Sequence, residues 1–444
     1  MSRRRIAFFS PFSPERSGVS DYSEELLPHL AAGADVDLVA DGYRLTNPAI
    51  SAQFQTLNRD EFFSRADSYD MPVYQVANSL RQHGYMIPCM ERFPGVVVLH
   101  DFYLHYLMLG LTVMRGDYRA LRRIVRAGND LDASLALLLS WADPYQIELT
   151  SPILDRARSV ITHSELARDL ALRARPGKPI KVIPMAMPEI DVEKREEARA
   201  ALGVAPGDFV LASVSTLSYT KRIETVLGAV MAAGRRHANL RLWILGGGKL
   251  SDRATQLVNE PALKSLVRVT GWADAETYGR YLLATDAAID LRYPSGAETS
   301  ASLMRAFSAG VPAIVSRQGT FMELPDSFTE KIQVNEQEVE RVVGVLAEWI
   351  SDPEGMRRRR ASALEFARTR MHLPHAAASY LEWIEETRLM KASGQPTPLS
   401  SHAGKLERMW WGSIHRGARI AFLIRTYGWE SAWQRARGGL QARQ

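Results

Sequence analysis

At 444 residues, 46% of them hydrophobic and 24% charged, the chain is long enough for two domains with separate cores, and its ordinary balance excludes a disordered or fibrous protein. Its single cysteine, Cys89, excludes an internal disulfide and suits a reducing compartment, and no apolar run approaches the roughly 20 residues of a spanning helix. The net charge of +5 sits at the far end, where residues 402–444 set eight Lys or Arg against Glu407 and Glu430; the rest is near neutral, so nucleic acid is not an expected partner.

Met1 to Arg5 lead straight into a short strand, Arg5 to Ser10, instead of a signal peptide, and the expectation is a cytoplasmic protein. A Ser- and Pro-rich loop follows, then a helix from about Asp21 to Ala32, with Asp21 as predicted N-cap and Glu24 as its capping-box partner. Ser17 and Gly18 occupy the first strand-to-helix turn, where a residue without a Cβ lets a ligand approach the backbone. Further strands are expected at Val36 to Ala40, Val73 to Val76, Val96 to His100 and Ser159 to Ile161. Their alternation with helices is the pattern of a doubly wound parallel sheet. Two strand ends deliver polar side chains to the edge where open sheets bind ligands: Asn78, with His83 and Tyr85 beyond it, and the pair His100 and Asp101. A helical insertion over residues 103–146 carries Tyr103, His105 and Tyr106 and the basic run Arg119, Arg122, Arg123 and Arg126. It reads either as extra core with a solvated basic face or as a platform on which a ligand stacks. His163, after the strand at Ser159, reads as structural.

The second half begins after the proline-bracketed segment Ile183 to Pro188, with a short charged helix over Glu193 to Leu202 and a new sheet from Phe209 to Ser213. The segment from Val214 to Ile223 opens a helix running to about Gly234, with Lys221 and Arg222 in its first turn. Two cations there oppose the helix dipole unless a diphosphate occupies that end. Leu242 to Leu245 then runs into Gly246, Gly247 and Gly248, and the strand from Val267 ends at Gly271 and Trp272. In Leu291 to Ser316 a small polar loop (Ser295, Gly296, Ala297, Glu298, Thr299, Ser300) enters a helix carrying Leu303, Met304, Ala306 and Phe307. Gly310 and Pro312 stop it before an apolar strand. The free N–H groups of such a helix start attract an anion, and Thr299, Ser300 and Ser302 are residue types that cap a helix and let phosphate come close. Glu298 would repel phosphate and is matched instead to a sugar hydroxyl. Helices follow to Leu389, then a linker and a tail with Trp410, Trp411, Trp429 and Trp433 among its cations, which suits an anionic bilayer surface, a partner's groove or packing on the first domain.

Together these motifs resemble the donor site of GT-B retaining glycosyltransferases, in particular the family 4-like group (glycosyl transferases group 1) that includes sucrose-phosphate synthases and bacterial mannosyl- and glucosyltransferases. The usual form is a Glu, seven residues, a second Glu, Ala and a later Gly-x-Pro. This chain keeps Ala306, Gly310 and Pro312, but has Arg305 where the second Glu would stand, and Glu298 lies one position closer. The family's Gly-Arg-Leu, three residues, Lys-Gly is matched at Lys221, with Thr216 in place of its Arg and Arg222 in a position to compensate. Its paired glycines in the first loop are here Ser17 and Gly18.

The resemblance implies an α/β GT-B fold of two doubly wound, Rossmann-like domains facing across a cleft. Residues 1–186, with the insertion 103–146, would form the acceptor side, and 187–375 the nucleotide-sugar domain. Residues 376–392 would return to the first domain, and 393–444 would be the linker and basic aromatic tail. The implied reaction moves a sugar, with retention, from a nucleoside-diphosphate sugar to a glycan or lipid-linked acceptor. No cofactor and no metal are implied, there being no Asp-x-Asp on a loop to hold one. The implied catalytic residues are His100 and Glu298, at the transferred sugar, and Lys221, at the diphosphate. Donor contacts would come from Gly18, Thr216, Arg222, Gly247, Trp272, Thr299, Ser300, Ala301, Ser302 and Arg305, and acceptor contacts from Ser17, Asn78, Asp101 and Tyr103. The tail would allow peripheral attachment to an anionic membrane surface at its inner face. The departures at Thr216 and Arg305 keep open a non-catalytic relative that binds a sugar nucleotide or glycan. A Rossmann dehydrogenase is disfavoured, because no Gly-x-Gly-x-x-Gly opens the first helix.

Overall fold

The structure, a computed structural model, describes residues 3–128, 145, 147–214, 217–390 and 399. Its first sheet contains β1 (Arg4–Phe9), β2 (Ala34–Val39), β3 (Thr56–Leu57), β4 (Met71–Val76), β5 (Val96–Leu99), β6 (Ser159–Thr162) and β7 (Ile180–Val182), in the spatial order β3-β2-β1-β4-β5-β6-β7. The second contains β8 (Phe209–Val214), β9 (Leu240–Leu245), β10 (Val267–Gly271), β11 (Ala287–Asp290), β12 (Ala313–Ser316) and β13 (Thr329–Ile332), in the order β10-β9-β8-β11-β12-β13. The strands pair in parallel, and β5 and β8 are buried along their whole length, as strands covered by helices on both faces must be. This is the α/β, doubly wound, two-domain GT-B architecture.

Three edge strands fall outside the sequence expectation. β3 has two residues, and β7 and β13 carry Lys181, Glu330 and Lys331 in place of an apolar run, because an edge strand needs no second buried face. The first helix begins at Gly18, not at Asp21. Ser17 is its N-cap, accepting from the Ser20 amide at 3.1 Å, while Glu24 is drawn away to accept from the Ser13 amide (2.6 Å) and Asn47 Nδ2 (2.6 Å). Within the insertion, helices His105–Leu111 and Tyr118–Gly128 are described; most of its remainder, Thr216 and the tryptophan-bearing tail from residue 400 lie outside the described residues.

In both sheets the strand order reverses beside the first strand, between β1 and β4 and between β8 and β11. The crevice at such a reversal, beyond the carboxyl ends of the strands, is where open α/β sheets take ligands, because neighbouring loops diverge to opposite faces there. The loops after these four strands hold residues 10–17, 77–79, 217–222 and 291–300, so the fold itself assembles the candidate site.

The last described helix, Leu373–Leu389, packs on the helix Gly18–Ala31 of the first domain. Tyr22 and Tyr380 join hydroxyls at 3.0 Å, Ser159 Oγ and Thr387 Oγ1 lie 2.6 Å apart, and Arg4 Nε donates to Glu385 at 3.0 Å. One apolar core runs from Phe8 and Tyr22 through Tyr380 and Ile384 to Phe307 and Val210, so the two sheets share buried surface. No helix among the described residues is long and apolar enough to cross a membrane.

Candidate functional site

The second domain's part of the site is a cluster of buried charges at the ends of β8 and β11. Asp290, the last residue of β11, is wholly buried, and Arg292 grips it with Nε (3.1 Å) and Nη2 (2.9 Å), the bidentate geometry that favours Arg over Lys. The same guanidinium donates to Glu298 Oε1 at 2.6 Å and to Ser300 Oγ at 2.5 Å, and lies over the Phe321 ring. Ser300 Oγ in turn donates to Asp290 at 2.7 Å; Ser300 is the N-cap of the helix Ala301–Ser308, but its hydroxyl serves this cluster instead of a helix amide. Lys221 Nζ approaches Asp290 at 3.8 Å. Two carboxylates and two cations therefore nearly balance, which is what allows them to be buried.

The balance is uneven within the cluster. Burial, reinforced by the positive charge of Arg292, pushes the Lys221 amine down to about 8, while Asp290, Glu298 and Asp101 pull it back up. The Glu298 Oε2 atom is buried and makes no hydrogen bond, although Oε1 is held. Gly296 leaves room for it: a Cβ there would stand 2.9 Å from Glu298 Oε2 and 3.0 Å from the Tyr145 ring. A buried carboxylate oxygen without a partner is a ready acceptor for a ligand's hydroxyl.

The first domain supplies the opposite wall. Asp101, two residues beyond β5, accepts the Asn78 amide at 2.8 Å, and Asn78 Oδ1 accepts from the Leu107 amide at 3.1 Å. Burial and the Glu298 charge raise the Asp101 carboxyl to about 6, against the Asn78 amide and the charges of Arg292 and Lys221, so it shares the field of the second-domain cluster. The Phe102 amide donates to the Gly296 carbonyl at 3.2 Å across the cleft. Tyr103 packs edge-on against Phe102 and Tyr145. Gly18, beside the N-cap Ser17, brings the two helix starts together, for a Cβ on it would lie 3.4 Å from Ala301 Cβ.

His100, which directly precedes Asp101, is buried. Its Nε2 is engaged by Gln75 Oε1 at 2.7 Å, and its ring packs on Tyr22 and His163, with centroids 5.6 and 5.0 Å away. Burial, then the neighbouring His163 and His83, holds its ionisation well below the ordinary imidazole range, so it is neutral at pH 7. His163 Nδ1 bonds the Ile183 carbonyl at 2.9 Å.

Several remaining residues occupy places the sequence did not indicate. Lys221 ends a 3-10 turn, Tyr219–Lys221, and the helix starts only at Ile223, so neither cation is in a helical first turn. Arg222 has φ 48 and ψ 38, the left-handed conformation at the position where the resembling motif has glycine, and its Nε donates to buried Glu338 at 3.0 Å. It does not stand free for a phosphate, because Glu338 already neutralises it. Arg305 is likewise committed, pairing across the cleft with Glu25 at 2.7 Å. Gly247 accepts from the Leu217 amide at 2.8 Å and borders Trp272, while Thr299 and Ser302 are half-buried at the helix start. Asp290 and Arg292 were missed from the sequence. Their signal is a pair of opposite charges two residues apart at the end of the apolar run Ala287 to Ile289, where a lone buried charge would be prohibitive.

A cavity of about 460 Å³ between the domains is lined by His163, Thr299, Ser300, Met304, Glu323 and His375 among others. Glu323 crosses to the first domain there, accepting from the Glu165 and Leu166 amides at 3.0 and 2.7 Å at the start of the helix Glu165–Ala174.

Residues 194–366 match the family model of glycosyl transferases group 1. The chain is 30% identical over 164 residues to the alpha-monoglucosyldiacylglycerol synthase of Streptococcus pneumoniae, a stretch that spans 35% of this chain and 36% of that relative. Its fold is similar to that of the sucrose-phosphate synthase of Thermosynechococcus elongatus (TM-score 0.61, 18% identity, covering 86% of this chain and 99% of that one). It is also similar to a glycosyltransferase of Rickettsia africae (TM-score 0.62, 11% identity, 88% and 100%) and to Anabaena HepE bound to UDP (TM-score 0.57, 16% identity, 86% and 100%). The family match thus lies over the second domain, and the fold that the chain shares with these structures over most of its length is the two-domain GT-B architecture.

Proposed function

We propose that the protein is a retaining glycosyltransferase that moves a sugar from a nucleoside-diphosphate sugar to a glycan or lipid-linked acceptor. The observation that carries this reading is Glu298, whose Oε1 is locked by Arg292 while its buried Oε2 lacks a partner beside Lys221 and the helix start at Ala301. A sugar diphosphate satisfies all three groups at once: a sugar hydroxyl donates to Glu298 Oε2, and the diphosphate meets Lys221 and the free amides of the helix Ala301–Ser308. As the bond between the anomeric carbon and the diphosphate oxygen breaks, negative charge grows on that oxygen, and these fixed positive groups stabilise it. The acceptor hydroxyl, brought up by the first domain, forms the new bond on the same face of the anomeric carbon that the diphosphate leaves, which keeps the configuration, and its proton passes to the departing diphosphate oxygen. His100, engaged by Gln75, supports the first domain's wall next to Asp101.

Side-chain and helix charges supply the leaving-group stabilisation in this reading, so turnover is expected to persist in EDTA. The Anabaena relative is seen with UDP-glucose, and the curated relative is named for a glucosylated diacylglycerol. UDP-glucose and diacylglycerol lipids in anionic vesicles, which also probe attachment at a cytoplasmic membrane face, therefore open the panel of donors and acceptors to be tested. Transfer with the anomeric configuration preserved, read by proton NMR of the product, is the expected result. Inversion would remove the retaining mechanism. Tight donor binding without turnover on any acceptor would favour a non-catalytic sugar-nucleotide-binding relative, a reading to which the engagement of Arg305 by Glu25 lends some support.

A further inference from the structure

Trp272 directly follows β10 at the carboxyl edge of the second sheet, and a Cβ on Gly247, after β9, would lie 3.7 Å from Trp272 Cβ. The side chain is 54% exposed, and the group over its face comes from the other domain: the Arg16 guanidinium carbon lies 4.4 Å from the ring centroid. Arg16 sits two residues before Gly18, in the loop between β1 and the helix Gly18–Ala31. The strand order β10-β9-β8-β11 therefore places Trp272, Gly247, Lys221 and Glu298 in a row along one sheet edge. The strands that lead to Trp272 and Lys221, β10 and β8, are two strand spacings apart, about 10 Å, which leaves room for a pentose between a ring on the indole and a diphosphate at the lysine.

We propose that Arg16 and Trp272 are the two walls of a slot for the donor's nucleobase, with Arg16 a base-stacking residue supplied by the first domain. This rests on the nucleoside-diphosphate reading above and adds to it a contact from the domain that holds the acceptor. An exposed guanidinium on an indole is a weak contact, and a nucleobase stacks more strongly on the same face. The base displaces the guanidinium from the indole and receives it on its own second face, since a planar delocalised cation stacks on a ring where an ammonium does not. The walls then stand about 7 Å apart, twice an ordinary carbon contact distance. Because they belong to different domains, the base bridges the cleft.

Calorimetric titration of the intact protein with UDP, GDP, ADP and inorganic pyrophosphate tests the slot. Arg16→Ala and Trp272→Ala are each expected to weaken the tightest of the three nucleotides by about tenfold and leave pyrophosphate unchanged. Arg16→Lys is not expected to restore the loss. An Arg16→Ala variant with unchanged or tighter nucleotide binding would overturn the proposal, as would equal losses for nucleotide and pyrophosphate, which would assign Arg16 to the phosphates. If Lys221→Met weakens pyrophosphate while Arg16→Ala changes nothing, the slot falls and the diphosphate site stands. If the unmodified protein binds none of the four probes, both readings fall.

Discussion

Arg292 Nη1 lies 2.6 Å from Glu298 Oε1, while the other oxygen of that carboxylate, Oε2, is buried and makes no hydrogen bond. Glu298 is three residues before the helix that begins at Ala301, so one arginine orients the acid and, through Ser300, braces the helix start.

Replacing Glu298 with Gln keeps the shape and one acceptor while removing the charge. Turnover is expected to fall by about 100-fold or more with donor affinity little changed, because the lost interaction strengthens as charge separates. Steady-state kinetics beside calorimetric binding would measure the split; a rise in KM at constant kcat would assign Glu298 to ground-state binding alone.

The Arg305 guanidinium neutralises Glu25 at 2.7 Å, and its charge also acts on Asp21; burial raises the pKa of both acids. Arg305→Met strands these carboxyls and should cost about 3 kcal/mol, the penalty of an unpaired buried charge. The double variant Glu25→Gln, Arg305→Met should recover much of it. Urea unfolding at pH 7 checks both, and equal stability of the single and double variants would show the pair to be energetically idle.

Lys221, held near 8 in the free protein, is bound best by a diphosphate when protonated. Below about pH 8 it is already charged; above that pH the ligand must draw a proton onto it, and affinity falls by up to tenfold per pH unit. UDP affinity measured from pH 7 to 9.5 should decline above pH 8 in the native chain and stay flat across that window in Lys221→Met.

Asp101 ionises near 6 in the fold against an ordinary value of 3.8. Between these values the native state holds a proton the unfolded chain has lost, so stability declines as pH rises from about 4 to about 6 and stays lowered above, by about 3 kcal/mol at most. Asp101→Asn keeps an acceptor for the Asn78 amide and removes the penalty. Its melting temperature should exceed that of the native chain at pH 8 and match it near pH 4, while transfer activity falls.

What was legible locally was legible for local reasons. The buried runs Val96 to Leu99 and Phe209 to Val214, the small-residue loop before Ala301 and the stop at Gly310 and Pro312 each write a structural requirement into a few adjacent residues. The first helix was entered three residues late, because Asp21 has the look of a cap whereas Ser17 has the geometry of one. Edge strands such as Thr56–Leu57 left no apolar trace, since one side and one face of them need no burial.

The sequence by itself determined two parallel α/β domains and the residue types at their strand ends, because periodicity, caps and turn residues act over distances the chain fixes directly. Only the tertiary structure decided which of those residues meet. Arg222 and Arg305 look alike on paper as phosphate ligands, yet each is neutralised by a carboxylate far along the chain, Glu338 and Glu25. Arg292 drew no notice there, yet it is the charge around which Asp290, Glu298 and Ser300 are arranged. The reason is that burial removes water as the competing partner, so a charge is settled by whatever opposite charge the fold brings near, and sequence separation carries no information about that.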